Sequence, residues 1–261
     1  MDVIIRKDVK SAVDLAARIM ADALRKRPDM TLGLATGRTM EALYAELVKM
    51  HREEGLDFSL AKSFNLDEYV GLAPDNVNSY RYYMNHHLFD HVNIDKRNTH
   101  LPNGLAKCEA GECERYEQEM RLAGGIDLQL VGIGRTGHIG FNEPLSPLTS
   151  RTRSVALTQG TIEQNSPLFT YPDVMPRRAF TMGVGTVLDA RSVLLLATGA
   201  EKADIIAKAI EGPVTSMISA SALQMHQNCT VILDEEAAAK LQLRDFCDWT
   251  FANDPKWDAF R

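Results

Sequence analysis

Gly124-Gly125-Ile126-Asp127-Leu128-Gln129-Leu130-Val131-Gly132-Ile133-Gly134 is the stretch on which the fold turns. The run from 126 to 133 is short, largely apolar and bounded by glycines on both sides, so it reads as a buried strand. Before it, a helical pattern from about Cys108 to Leu122 is stopped by the glycine pair. The same alternation extends towards both ends. Val3–Ile5 and Thr31–Leu34 read as strands, separated by a helix bearing Val9, Val13, Ala16, Ala17, Met20 and Leu24. A second helix presents Met40, Leu43, Tyr44, Leu47 and Val48, and Ala61–Leu66 reads as a strand ending at Asp67-Glu68-Tyr69. A helix is predicted from Ser79 to Phe89, strands at Ala179–Met182, Val193–Ala197 and Thr230–Leu233, and helices near Glu201–Ile210 and Ala220–Met225. Such alternation predicts one α/β domain over residues 1–261, an open, mostly parallel, Rossmann-like sheet with helices on both faces.

In such sheets ligands bind at the carboxyl ends of the strands. That rule selects the loop after Leu34, the segment at Asp67 and the loop after Ile133, where glycine and polar residues concentrate. Composition narrows the class of ligand. The 261 residues are 45% hydrophobic and 25% charged, with a formal net charge of −6 and no basic run, which argues against nucleic acid as the partner. Local amides and a few cations still allow a phosphorylated small molecule. No stretch is long and apolar enough to span a bilayer, and the N-terminus lacks a signal-peptide pattern, so a cytoplasmic location is expected. Cys108, Cys113, Cys229 and Cys247 show neither zinc-ligand spacing nor a disulfide framework, and no metal is expected.

Gly132-Ile133-Gly134-Arg135-Thr136-Gly137 fits the dinucleotide pattern G-x-G-x-x-G. The following His138-Ile139-Gly140-Phe141-Asn142-Glu143-Pro144-Leu145-Ser146-Pro147 does not open a long helix, so these glycines read as points of close approach to another ligand. Ala35-Thr36-Gly37-Arg38-Thr39 lies between a strand and a helix N-terminus, where amides and the helix dipole favour an anion. Thr36 or Thr39 acting as a plain helix cap is an equal reading. Asp67 reads either as a general base or as a solvated strand-end acid, and an imidazole at His138 suits proton transfer at neutral pH. Glu143 is close enough in sequence to orient it.

Phe64-Asn65-Leu66-Asp67-Glu68-Tyr69-Val70-Gly71-Leu72 and Gly132-Ile133-Gly134…Gly137-His138-Ile139-Gly140-Phe141-Asn142-Glu143-Pro144 resemble the two signatures of the glucosamine-6-phosphate deaminase family. Ser150-Arg151-Thr152-Arg153, Met182-Gly183-Val184-Gly185-Thr186 and Glu201-Lys202-Ala203 also resemble its segments, and the likeness weakens after about Asp234. The resemblance implies a cofactor-free enzyme of amino-sugar catabolism, formally a hydrolase. It would open the ring of glucosamine 6-phosphate, isomerise it and release ammonia to give fructose 6-phosphate. It implies proton shuttling by His138, orientation by Glu143, proton transfer between C2 and C1 by Asp67, and a phosphate pocket of Thr36, Gly37, Arg38, Thr39 and Lys202. Homo-oligomerisation is left open.

Three departures shape the expectations. Thr136 stands where relatives usually carry Asp or Asn, so it is expected to position rather than to exchange protons. A phosphate-contacting arginine of relatives aligns with Pro167, so Arg38 is expected to supply the missing cation. Ser146 and Arg153 match an activator pocket of some relatives, but Pro147, Val155 and Ala156 replace its polar groups, so activation by N-acetylglucosamine 6-phosphate is not expected. A 6-phosphogluconolactone hydrolase, a non-catalytic sugar-phosphate sensor and a dinucleotide enzyme are the rival readings.

Overall fold

Asp8 begins the first helix with a reciprocal cap: Ser11 N–H donates to its carboxylate at 2.7 Å and its own N–H donates to Ser11 Oγ at 3.2 Å. In the computed structural model, which describes residues 1–169 and 174–261, that helix follows β1 (Asp2–Arg6). The chain then runs α1 (Val9–Lys26), β2 (Thr31–Leu34), α2 (Arg38–Glu54), β3 (Lys62–Asn65), β4 (Asp67–Tyr69), α3 (Tyr80–Met84) and β5 (Thr99–His100). Next come α4 (Glu109–Leu122), β6 (Leu128–Val131), β7 (Arg153–Ala156), α5 (Gln159–Asn165), β8 (Arg178–Thr181) and α6 (Val184–Leu188). The remainder is β9 (Ser192–Ala197), α7 (Ala203–Ile210), β10 (Cys229–Asp234) and α8 (Arg244–Asn253).

Seven strands form one parallel sheet in the order β1-β10-β9-β6-β2-β3-β5. Every residue of β2 and β6 is buried, as strands covered on both faces must be. From β2 the chain builds outward through β3 to β5; from β6 it builds the other way through β9 and β10. The order therefore reverses between β2 and β6, where a doubly wound sheet opens a crevice at its carboxyl edge.

The other three strands depart from the predicted pattern. Arg178–Thr181, expected in the parallel sheet, lies at the centre of a small antiparallel sheet ordered β4-β8-β7. Asp67-Glu68-Tyr69 does not merely end a strand but starts one in that second sheet. Leu66 belongs to both: its N–H donates to Leu34 O at 2.9 Å and its carbonyl accepts from Met182 N–H at 2.7 Å. The predicted 79–89 helix is one α turn continued as a π turn over Asn85–Phe89, and 219–225 winds as 3₁₀ rather than α. After Asp234, α8 packs on β1 although it buries only Cys247, which is why periodicity failed to mark it. The four cysteines are free, and no helix among the described residues is long and apolar enough to cross a membrane.

Candidate active site

The loop after β2 delivers the start of α2 to the crevice. Gly37 is its N-cap with φ 123°, a conformation that suits glycine, and no side chain caps the helix. The capping alternative for Thr36 and Thr39 is thereby removed; Met40 and Glu41 N–H donate to Gly37 O, and the Arg38 and Thr39 amides remain available to an anion. Tyr83 Oη donates to Gly37 O at 2.8 Å and Tyr44 Oη to Ala35 O at 2.5 Å, fixing the loop from below. Arg38 is exposed and has no hydrogen-bond or ion-pair partner among the described residues.

Asp67 is buried at 6% exposure, not solvated, and its Oδ1 has no hydrogen-bond partner among the described residues. Burial, then the neighbouring Glu68 charge, pushes its carboxyl up to about 8. Glu68 points elsewhere. Its carboxylate accepts from Tyr69 N–H at 2.8 Å and from Tyr80 and Arg81 N–H at 3.0 Å, so it holds the start of α3. Of these two adjacent acids, Asp67 is the one that receives no donor from the described residues.

The segment after β6 is a glycine-built loop, not the start of a helix. Gly134 N–H donates to His138 O at 2.8 Å, and Gly137 N–H donates to Gly134 O at 3.0 Å. A methyl group on Gly134 would lie 2.0 Å from His138 Nε2, so the imidazole packs directly on bare backbone. His138 Nδ1 is 2.7 Å from Thr136 Oγ1 and 3.0 Å from Glu143 Oε2, and Thr136 Oγ1 donates to Glu143 Oε2 at 2.8 Å. The single Thr136 hydrogen goes to the carboxylate, so its oxygen accepts and His138 Nδ1 carries a proton. Nε2 is left without a hydrogen-bond partner among the described residues. Burial works against an ionised Glu143, but hydrogen bonds from His138, Thr161 and Thr136, with the His138 charge, hold its carboxyl at about 2.

The two halves meet at Gly140. Its Cβ position is 2.7 Å from Thr181 Oγ1 and 3.6 Å from Asp67 Oδ2, and Thr181 is the cross-strand partner of Asp67. The loop that carries His138 and Glu143 therefore lies against Asp67. Asn142 braces it: its amide donates to Ile139 O and Met182 O, and its Oδ1 accepts from Arg153 at 2.8 Å. Arg153 also donates to Ser146 Oγ at 3.0 Å. Lys202, from the loop after β9, donates to Ile133 O at 2.8 Å at the mouth of the same crevice. Its ammonium is lowered by burial; Glu201 opposes this and Arg135 reinforces it.

The secondary structure of residues 153–165 was not foreseen from sequence. They supply β7 and α5, whose Thr158 and Thr161 reach Glu143 Oε1 at 3.3 and 2.7 Å. Asn165 donates to Tyr69 Oη at 3.0 Å, and Tyr69 packs with Tyr80, Phe141 and Phe169 at centroid separations of 4.9 to 5.8 Å. Pro167 sits exposed in a 3₁₀ turn after α5. The one available sequence signal was the pair of threonines three apart, a cap pattern.

An open parallel sheet with an uncapped helix N-terminus, a carboxyl that lacks a partner among the described residues and an imidazole–carboxylate unit at its switch point defines an acid–base class of α/β protein. The chain belongs to the family of glucosamine-6-phosphate isomerases and 6-phosphogluconolactonases, which it matches over residues 6–232. A glucosamine-6-phosphate deaminase of Shewanella woodyi is 49% identical over 246 residues, 94% of this chain and 93% of that one. That of Hahella chejuensis is 48% identical over 249 residues, 95% of each chain. A solved monomeric glucosamine-6-phosphate deaminase superposes with a TM-score of 0.89 at 42% identity, covering 92% of this chain and all of the other. The 6-phosphogluconolactonase of Trypanosoma brucei shares the fold at a TM-score of 0.70 and 18% identity, over 92% of this chain and 98% of that one.

Proposed function

We propose that this chain catalyses the isomerising deamination of glucosamine 6-phosphate to fructose 6-phosphate and ammonia. The observation that carries the reading is a donor-free buried carboxyl, Asp67, set against the loop that bears a complete Thr136–His138–Glu143 unit. Relatives named as deaminases at 42–49% identity support it, whereas the lactonase likeness is confined to the fold.

In this reading the α2 N-terminus, Thr36, Gly37, Thr39 and Lys202 receive the phosphate, with Arg38 as the additional cation. His138 Nε2 takes the proton of the C1 hydroxyl and passes it to the ring oxygen, and Glu143 stabilises the imidazolium formed. Asp67 removes the C2 proton and returns it at C1, while one proton of the C2 ammonium passes to O1, so that the aldehyde becomes a C1 hydroxymethyl group. C2 is then an iminium; water adds there and ammonia leaves, so the balance is one water consumed per ammonia released. The hydrolytic element is confined to that last exchange, and the chemistry is that of an isomerase and deaminase. A carboxyl pushed up to about 8 holds its proton at neutral pH until an opposite charge arrives. The substrate's C2 ammonium is such a charge, so binding itself converts Asp67 into a base.

Ammonia and fructose 6-phosphate released from glucosamine 6-phosphate, measured for the parent and for Asp67→Asn, test the reading. Equimolar products from the parent and none from the variant are expected. Turnover of 6-phosphogluconolactone instead would make the chain a lactonase, and binding without turnover would make it a sensor.

A further inference from the structure

Glu143 is approached from two sides. Thr136 and His138 share its Oε2, and the α5 threonines share Oε1. Thr158 has one hydroxyl hydrogen and two acceptors, Thr161 Oγ1 at 3.0 Å and Glu143 Oε1 at 3.3 Å. Thr161 Oγ1, at 2.7 Å, is therefore the principal donor to Oε1. With each carboxylate oxygen engaged by a different element, the group cannot turn about its own axis without losing a donor.

α5 is weakly held in other respects. None of its residues is buried. Ile162 and the following Phe169 lean on the Tyr69–Phe141 cluster, and Asn165 adds one bond to Tyr69 Oη. The helix is thus fastened to the site through the same carboxylate that orients the imidazole. Thr136 cannot take over that carboxylate's part, since a hydroxyl brings no negative charge to His138.

We propose that Thr161 is a positioning residue of the acid–base unit. Its hydroxyl holds Glu143 Oε1 so that Oε2 faces His138 Nδ1 and Thr136, and this makes the reactivity of His138 depend on the seating of α5. The inference rests on the acid–base reading of His138 and Glu143 given above, and its test separates the two.

The full-length chain carrying Thr161→Val, and separately Thr161→Ser, is compared with the parent. Steady-state rates on glucosamine 6-phosphate are expected to show kcat about tenfold lower for T161V with KM within about twofold, and kcat restored to within about threefold in T161S. The hydrogen-bonded Nδ1 proton of His138 is followed by NMR without substrate, as a downfield resonance assigned by its absence in His138→Gln. It is expected in the parent and T161S and to be lost to exchange in T161V. If T161V fails to fold, Thr161→Ala carries the same two measurements. An unchanged kcat and resonance in the hydroxyl-free variant, or equal losses in the serine variant, would overturn the proposal. A resonance that behaves as expected in a protein that does not deaminate would leave the positioning intact and sink the assigned reaction instead.

Discussion

Asp67 and Glu143 are two carboxyl groups on either side of one loop, and their surroundings differ in kind. Asp67 emerges where β3 passes into β4, buried, with an unpartnered Oδ1 and a like charge next door, and it is pushed up to about 8. Glu143 is also largely covered, yet hydroxyls and an imidazole surround it and hold it at about 2. Burial disfavours charge at both positions, so the supply of donors decides the outcome. One group is placed to change its protonation near neutral pH. The other is prepared never to hold a proton. Opposed environments of this sort allot acid–base roles within a single cleft.

Replacing Asp67 probes the first environment and carries the largest effect. Asp67→Asn is expected to reduce kcat by about 10³-fold or more, since the amide cannot accept the C2 proton that the proposed mechanism gives to Asp67. The sign of the stability change is also set. A folded value near 8 against an ordinary 3.8 means that the native state resists ionisation, so this group's contribution falls as pH climbs from about 4 to about 8. D67N should therefore melt above the parent at pH 8, with the gap closing towards pH 4; calorimetry at both ends checks it, and a constant gap would refute the assigned environment. The parent's kcat/KM should correspondingly rise as pH approaches about 8.

Glu143→Gln probes the second environment and is expected to cost about 10²-fold in kcat. Here the linkage runs the other way. A folded value near 2 against 4.5 stabilises the native state above pH 4.5, and that contribution is lost as pH falls towards 2. Acid titration followed by circular dichroism should show E143Q with a shallower loss of stability over that window. The smallest effect belongs to the phosphate side, which neither carboxyl touches. Arg38→Ala is expected to raise KM for glucosamine 6-phosphate about tenfold at nearly constant kcat. An unchanged KM would sink the proposal that Arg38 supplies a cation to the phosphate.

Legibility in the sequence followed the same divide. The parallel sheet was readable because its strands are continuous apolar runs and its helices carry 3.6-residue stripes, as in Thr31–Leu34 and α1. The three segments of the candidate site could be picked out because they fall at strand ends. What was not readable depends on distant pairing. Whether Asp67 would be solvated or buried was settled by Thr181 and Gly140, more than seventy residues away. The strand at 153–156 and the helix at 159–165 bury almost nothing, so they carry no periodic signal, yet the helix and its N-cap Thr158 provide the hydroxyls on Glu143 Oε1. The cluster of Tyr69, Tyr80, Phe141 and Phe169 is assembled from four separate segments and has no local pattern.

Leu66 spends its N–H on the large sheet and its carbonyl on the small one, so the acid that follows it stands at a joint between two bodies. The chain bends at Leu66, so the direction of the Asp67 side chain is set by its own pairing with Thr181 and not by a count carried over from β3. An insertion at that bend would have to be taken up there or break the pairing, whereas one among the turns at 71–78 meets no such joint. The acid is thereby anchored by two hydrogen-bonded ladders at once, and loosening either would displace it.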